Sequence, residues 1–136
     1  MKKFKFRTYL VLTLVWLGMI FLQAFLPSDA SYGESRAVLS IVHEVLPGVS
    51  HRLLRLAAHF IEFFVLGIFM TNTFRYARHF NLFKPLFFTL VAATCDETIK
   101  RFAAGRTPQI DDIWLDFLGA AVGVLIVWAI SRLRKS

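Results

Sequence analysis

Apolar residues run along this chain in blocks, separated by short charged intervals. Thr8 to Phe25 carries no charge. Leu53 to Phe74 is apolar apart from Arg55, His59 and Glu62 in its first half. Leu86 to Ala93 and Phe117 to Ser131 are again uncharged. A helix needs roughly 20 apolar residues to cross a bilayer, and these blocks predict four such helices over about 8–26, 53–74, 85–104 and 111–131. The expected fold class is therefore all-α, a polytopic membrane protein forming a single domain over residues 1–136.

The intervals carry their own signals. Within 28–50, Val38, Leu39, Ile41, Val42, Val45 and Leu46 fall at helical spacing against Glu34, Arg36, Ser40, His43 and Glu44. That pattern predicts a short extracytoplasmic amphipathic helix between helices 1 and 2, ended by Pro47-Gly48. A helix plugging the bundle from above fits equally well. Ser50 is a plausible N-cap for the second helix, and Pro85 suits the first turn of the third. The first block is longer than a signal-peptide core, and Gln23, Phe25 and Pro27 replace a small-residue cleavage site, so an uncleaved helix is expected.

Charge sets the orientation. Lys2, Lys3, Lys5, Arg7, Arg75, Arg78, Lys84, Arg132, Arg134 and Lys135 fall at one end of the predicted helices with no acid among them. All nine acids and the other six cations fall at the opposite end. The positive-inside rule then puts both termini in the cytoplasm. The net charge of +7 reads as membrane anchoring, and nucleic acid is not an expected partner because no basic groove with aromatic platforms is present. The lipid bilayer is the expected partner. The single Cys95 rules out an internal disulfide and is expected in a helix interface.

Five of the nine acids lie between Cys95 and Asp116. Such groups are costly near hydrocarbon unless they are paired or functional. Counting inward from the basic flanks at about 1.5 Å per residue puts Glu62 about 20 Å, Asp96 about 18 Å, and His59 and Asp116 about 24 Å from the cytoplasmic face. Three helices thus bring polar groups to one level. Arg52, Arg55, His59 and Glu62 form one stripe, Asp112, Asp116, Gly119 and Gly123 another, and Asp96–Lys100 and Glu97–Arg101 are acid-to-base pairs four residues apart. Small residues allow close helix approach, which turns the aspartate stripe inward. The prediction is an outward polar pocket lined by His59, Glu62, Asp96, Glu97, Arg106, Asp112 and Asp116, supported by Arg55, Lys100, Arg101 and Gly105.

Plainer readings compete for several of these. Glu97–Arg101 reads also as an interfacial salt bridge, Asp111 and Asp112 as caps of the fourth helix, and Arg52 and Lys100 as headgroup-level anchors. His59, Glu62 and Asp96 could join arginines in a purely structural ion-pair network. No cofactor is expected. Asp96, Glu97 and Asp112 are the right types for a divalent metal, but no ligand spacing demands one.

The segments Arg55-Leu56-Ala57-Ala58-His59-Phe60-Ile61-Glu62-Phe63-Phe64-Val65-Leu66-Gly67 and Asp96-Glu97…Phe102…Gly105-Arg106…Ile110…Asp112…Asp116…Gly119-Ala120 resemble the VanZ-like family. The resemblance covers helices two to four. By position it implies functional roles for His59, Glu62, Asp96, Glu97, Arg106, Asp112 and Asp116. Leu56 departs from the family's usual lysine, Phe63 from tyrosine, Lys100 from glutamine and Ala104 from proline. The resemblance implies a cell-envelope protein lowering susceptibility to glycopeptides such as teicoplanin, with a lipid-linked or cell-wall component as partner. The alternative is a membrane-embedded enzyme acting on a lipid or lipid-linked wall precursor, with His59 or Glu62 as general base and Arg106 on phosphate. A transporter subunit is the weakest reading. A non-catalytic role is preferred, with no catalytic residue assigned.

Overall fold

The computed structural model describes residues 1–26, 50–77, 80–105 and 109–133. Four helices form among them: α1 (Lys2–Phe25), α2 (His51–Tyr76), α3 (Phe83–Lys100) and α4 (Ile110–Leu133). No strand occurs among the described residues. α1, α2 and α4 are long and apolar enough to cross a membrane; a 24-residue helix extends about 36 Å against a hydrocarbon core of about 30 Å. α3 falls short of that standard because Lys84, Asp96, Glu97 and Lys100 are packed into its 18 residues. The predicted amphipathic helix, within 28–50, lies outside the described residues.

The boundaries follow local chemistry. α1 begins at Lys2 rather than near Thr8, because lysine and arginine are good helix formers and the basic flank extends the helix without interruption. The Ser50 side chain accepts from the Leu53 amide at 3.2 Å, capping α2 as predicted. Pro85 sits in the first turn of α3, where a missing amide costs nothing. The third helix stops at Lys100, four residues earlier than expected. Arg101, Phe102 and Ala103 donate three residues back in a tightened last turn, and Gly105 turns the chain with φ 75°. That left-handed conformation suits glycine and ends any helix.

α2 is the hub and touches all three other helices. α1 runs antiparallel along it. Tyr9 stacks on Tyr76 at 5.6 Å, the Thr13 and Thr73 hydroxyls share a 2.9 Å hydrogen bond, and Trp16 packs edge-on to Phe69 at 6.0 Å. α4 runs parallel to α2 in a backbone-close seam. A Cβ on Gly119 would overlap the Phe60 carbonyl, one on Gly123 the Phe64 carbonyl, and one on Gly67 the Ala120 carbonyl. α3 presents Thr89, Ala92, Ala93, Asp96, Glu97 and Lys100 as one buried face, while Val91, Cys95 and Thr98 stay exposed. Cys95 therefore does not pack in an interface: its neighbour Asp96 is on the inward face, and one residue turns a helix by about 100°. Phe63, Leu66, Ala93 and Ala120 form the centre of the core. Leu14, Val15, Leu22, Leu118 and Leu125 point outward, as suits contact with lipid.

Candidate functional site

α2 and α4 run parallel, so an ion pair repeats at a constant offset. Arg55 lies 3.5 Å from Asp112, and one turn further His59 Nδ1 lies 3.5 Å from Asp116 Oδ1. The backbone contacts at Gly119 and Gly123 hold that register. α3, packed against both helices, inserts Asp96 into the same level. Ligand-type atoms of His59, Asp96 and Asp116 all lie within 4.8 Å of one another. Glu62 is half-buried and within Coulombic reach of His59, Asp96, Asp116 and Lys100.

Burial makes this arrangement chemically demanding. Asp116 is fully buried, and Asp96, Glu97, Lys100 and Asp112 nearly so. Lys100 Nζ sits 2.7 Å from Asp96 Oδ2 and also donates to Glu97 Oε1. The approach to Asp96 is close enough for an ion pair but lies outside hydrogen-bond angles, since Asp96 Oδ2 has no hydrogen-bond partner. The other Glu97 oxygen accepts from the Gln109 backbone amide at 3.0 Å, tying α3 to the start of α4. Both oxygens of Asp116 and the Nδ1 of His59 are buried without a hydrogen bond. Five carboxylates thus share the region with Lys100, Arg55 and one imidazole among the described residues.

Seven residues were predicted to line the site, and the structure brings six of them into this neighbourhood: His59, Glu62, Asp96, Glu97, Asp112 and Asp116. Arg106 lies outside the described residues. Among the supporting residues, Arg55 is half-exposed at the rim on Asp112. Arg101 and Gly105 are exposed in the turn after α3. The Glu97–Arg101 pair does not form. α3 ends before Arg101, and Glu97, facing inward, pairs with Lys100 three residues along instead. Lys100 is accordingly no headgroup anchor; it is buried at the centre of the acids. Asp111 stays exposed in the first turn of α4, where a negative charge complements the helix dipole.

Two participants carry little signal in the sequence. The Gln109 amide is a backbone donor, and no side-chain pattern announces it. Trp16 of α1 donates to the Glu62 carbonyl at 2.9 Å, steadying α2 at the level of the site; an indole in an apolar run was the available signal. A cavity of about 490 Å³ lies at the opposite, basic end of the bundle, lined by Lys2, Arg75, Tyr76, Trp128 and Arg132, far along each helix from the carboxylates.

Comparison with curated proteins and with solved structures finds no match. Residues 9–131 match the family described as VanZ/LLP1, a span holding every residue of the site and nearly the whole chain. The chain belongs to the VanZ/LLP1 family.

Proposed function

We propose that this protein crosses a bacterial cell membrane four times, with both termini cytoplasmic. In this reading α3 is the fourth span, its charges covered by α2 and α4, and the acidic cluster lies toward the outer surface. Its function is to engage a polar, lipid-linked or cell-wall component there and lower susceptibility to glycopeptide antibiotics of the teicoplanin type. The observation that carries this reading is the convergence of His59, Asp96 and Asp116 from three helices, with Asp116 fully buried and lacking hydrogen bonds. A bundle built only for stability gains little from such a group, because apolar residues of similar size would hold it as well. Arg55, half-exposed at the rim and paired with Asp112, and the exposed Arg52 and Arg101 are cations within reach of an anionic partner.

The test expresses the protein in a susceptible bacterium and measures teicoplanin inhibition beside His59→Ala and Asp116→Asn. Protection by the wild type, lost in variants that still accumulate in the membrane, supports the reading. Unchanged susceptibility with wild-type protein present removes it. Labelling of single cysteines placed at the two ends of the bundle checks the orientation.

The same convergence favours a second reading, a membrane-embedded enzyme acting on a lipid or lipid-linked wall precursor. An imidazole beside two carboxylates is suited to proton transfer. Turnover of lipid-phosphate substrates by purified protein, abolished in His59→Ala, would establish it; inactive protein whose variants still lose protection would exclude it.

A further inference from the structure

We infer that His59, Asp96 and Asp116 form a binding site for a first-row divalent cation, with Zn²⁺ or Mn²⁺ as the fitting ions. The inference takes the cluster to be a binding site rather than a structural ion-pair network, and otherwise stands on geometry.

Three observations support it independently. The first is spacing. Donors about 2.1 Å from a tetrahedral metal lie about 3.4 Å from one another, and His59 Nδ1 stands 3.5 Å from Asp116 Oδ1. All three ligand atoms lie within 4.8 Å of one another, so small side-chain rotations bring Asp96 into the same shell. The second is unmet demand. Asp116 is 0% exposed, and both its oxygens are buried without a hydrogen-bond donor, as is His59 Nδ1. Buried polar atoms are nearly always satisfied, and one cation between the imidazole and the carboxylates satisfies these atoms together. The third is charge. Among the described residues, Arg55 pairs with Asp112, and Lys100 is shared by Asp96 and Glu97. Of the described cations, a single permanent one is left among Glu62, Asp96, Glu97 and Asp116. With all four carboxylates ionised, a divalent ion lowers that excess from three negative charges to one.

The donor set selects the metal. Imidazole favours Zn²⁺ and its neighbours, while Mg²⁺ prefers an all-oxygen octahedral shell. Two carboxylates keep Mn²⁺ in range. Lys100 is held on Asp96 Oδ2 and Glu97, which leaves the other oxygen of Asp96 for the metal.

The experiment uses full-length protein in detergent micelles, purified without a polyhistidine tag, stripped with EDTA and titrated with Zn²⁺, Mn²⁺ and Mg²⁺. Bound metal is measured after desalting and by calorimetry. The expected result is one Zn²⁺ or Mn²⁺ per chain, weaker Mg²⁺ binding, and affinity at least about 100-fold lower in His59→Ala and Asp116→Asn, since loss of an outer-shell partner alone typically costs about 10–100-fold. Cobalt substitution gives a second readout, since His–carboxylate ligation produces visible d–d bands that both variants lose. Wild-type protein that retains no metal overturns the inference even if a variant fails to fold. So does a folded variant that binds as tightly as the wild type. Metal-free protein that still protects cells leaves the envelope role standing alone, whereas metal-binding protein without protection removes that role and leaves the site.

Discussion

The imidazole of His59 on α2 stands 3.5 Å from the carboxylate of Asp116 on α4, and Asp116 is fully buried. Too long for a good hydrogen bond, this contact is still the one ion pair that Asp116 makes among the described residues. Its loss therefore leaves a buried charge without relief. His59→Ala is expected to destabilise the protein by about 1–3 kcal/mol. Asp116→Asn removes the charge and should cost less. In a double-mutant cycle the pair should show coupling of at least about 1 kcal/mol. Thermal or SDS unfolding in micelles with EDTA present measures this; additive effects would show that the two side chains do not interact.

Lys100 holds Asp96 and Glu97 together. Replacing it by methionine keeps the stem and removes the charge, leaving two buried carboxylates with no cation between them. Breaking a buried pair in this way costs about 3–5 kcal/mol, and Lys100→Met should lose that much. Adding Asp96→Asn to it should recover part of the loss, because one of the stranded charges is then gone. If Lys100→Met unfolds at the wild-type denaturant concentration, the ammonium is not structurally important.

The helices could be read from the sequence because long apolar blocks bounded by charged intervals are a strong signal, and because inward stripes such as Asp112, Asp116, Gly119 and Gly123 repeat at helical spacing. Depth counted from the basic flanks at about 1.5 Å per residue places His59, Glu62, Asp96 and Asp116 at one level. Partner choice was not legible to the same degree. Glu97 has a cation both three and four residues ahead, and the spacing rule favours Arg101. What decides for Lys100 is the end of α3 at that residue, fixed by the turn through Gly105. Cys95 is exposed rather than packed in an interface for a related reason: an apolar neighbour of a polar stripe can lie on either face of its helix. The backbone donor at Gln109 depends on how the chain re-enters α4, which no side-chain pattern encodes.

Trp16 links α1 to the level of the site through its bond to the Glu62 carbonyl. Trp16→Phe keeps an aromatic ring against Phe69 and drops only the donor. A single hydrogen bond between membrane helices is worth about 0.6 kcal/mol on average, so a loss near that value is expected. Thr13→Val, which removes the hydroxyl pairing with Thr73, should behave alike. Because their partners Glu62 and Thr73 are well separated along α2, about 16 Å at 1.5 Å per residue, the two effects should add. A loss several times larger from Trp16→Phe, accompanied by changed metal or ligand binding, would mean that the indole positions Glu62 as well as α1.

The parallel seam between α2 and α4 sets the register that brings His59 to Asp116. It depends on Gly119 and Gly123, where an added Cβ would run into the carbonyls of Phe60 and Phe64. Those obstacles are backbone atoms, so no side chain can swing aside, and the helices themselves must separate. Overpacking of this kind costs about 1–3 kcal/mol, and Gly119→Ala and Gly123→Ala should each fall in that range. Gly18, with open space around the position of its Cβ, supplies the control: Gly18→Ala in the middle of α1 should be neutral or stabilising, because alanine favours the helix by about 1 kcal/mol. Gly119 lies one turn from Asp116, so its substitution should also weaken whatever the cluster binds, whereas Gly18→Ala should leave binding untouched. Unfolding and binding measured on the three variants separate the seam from general helix propensity. Equal stability of all three would show that the close approach of α2 and α4 is not needed to hold the site.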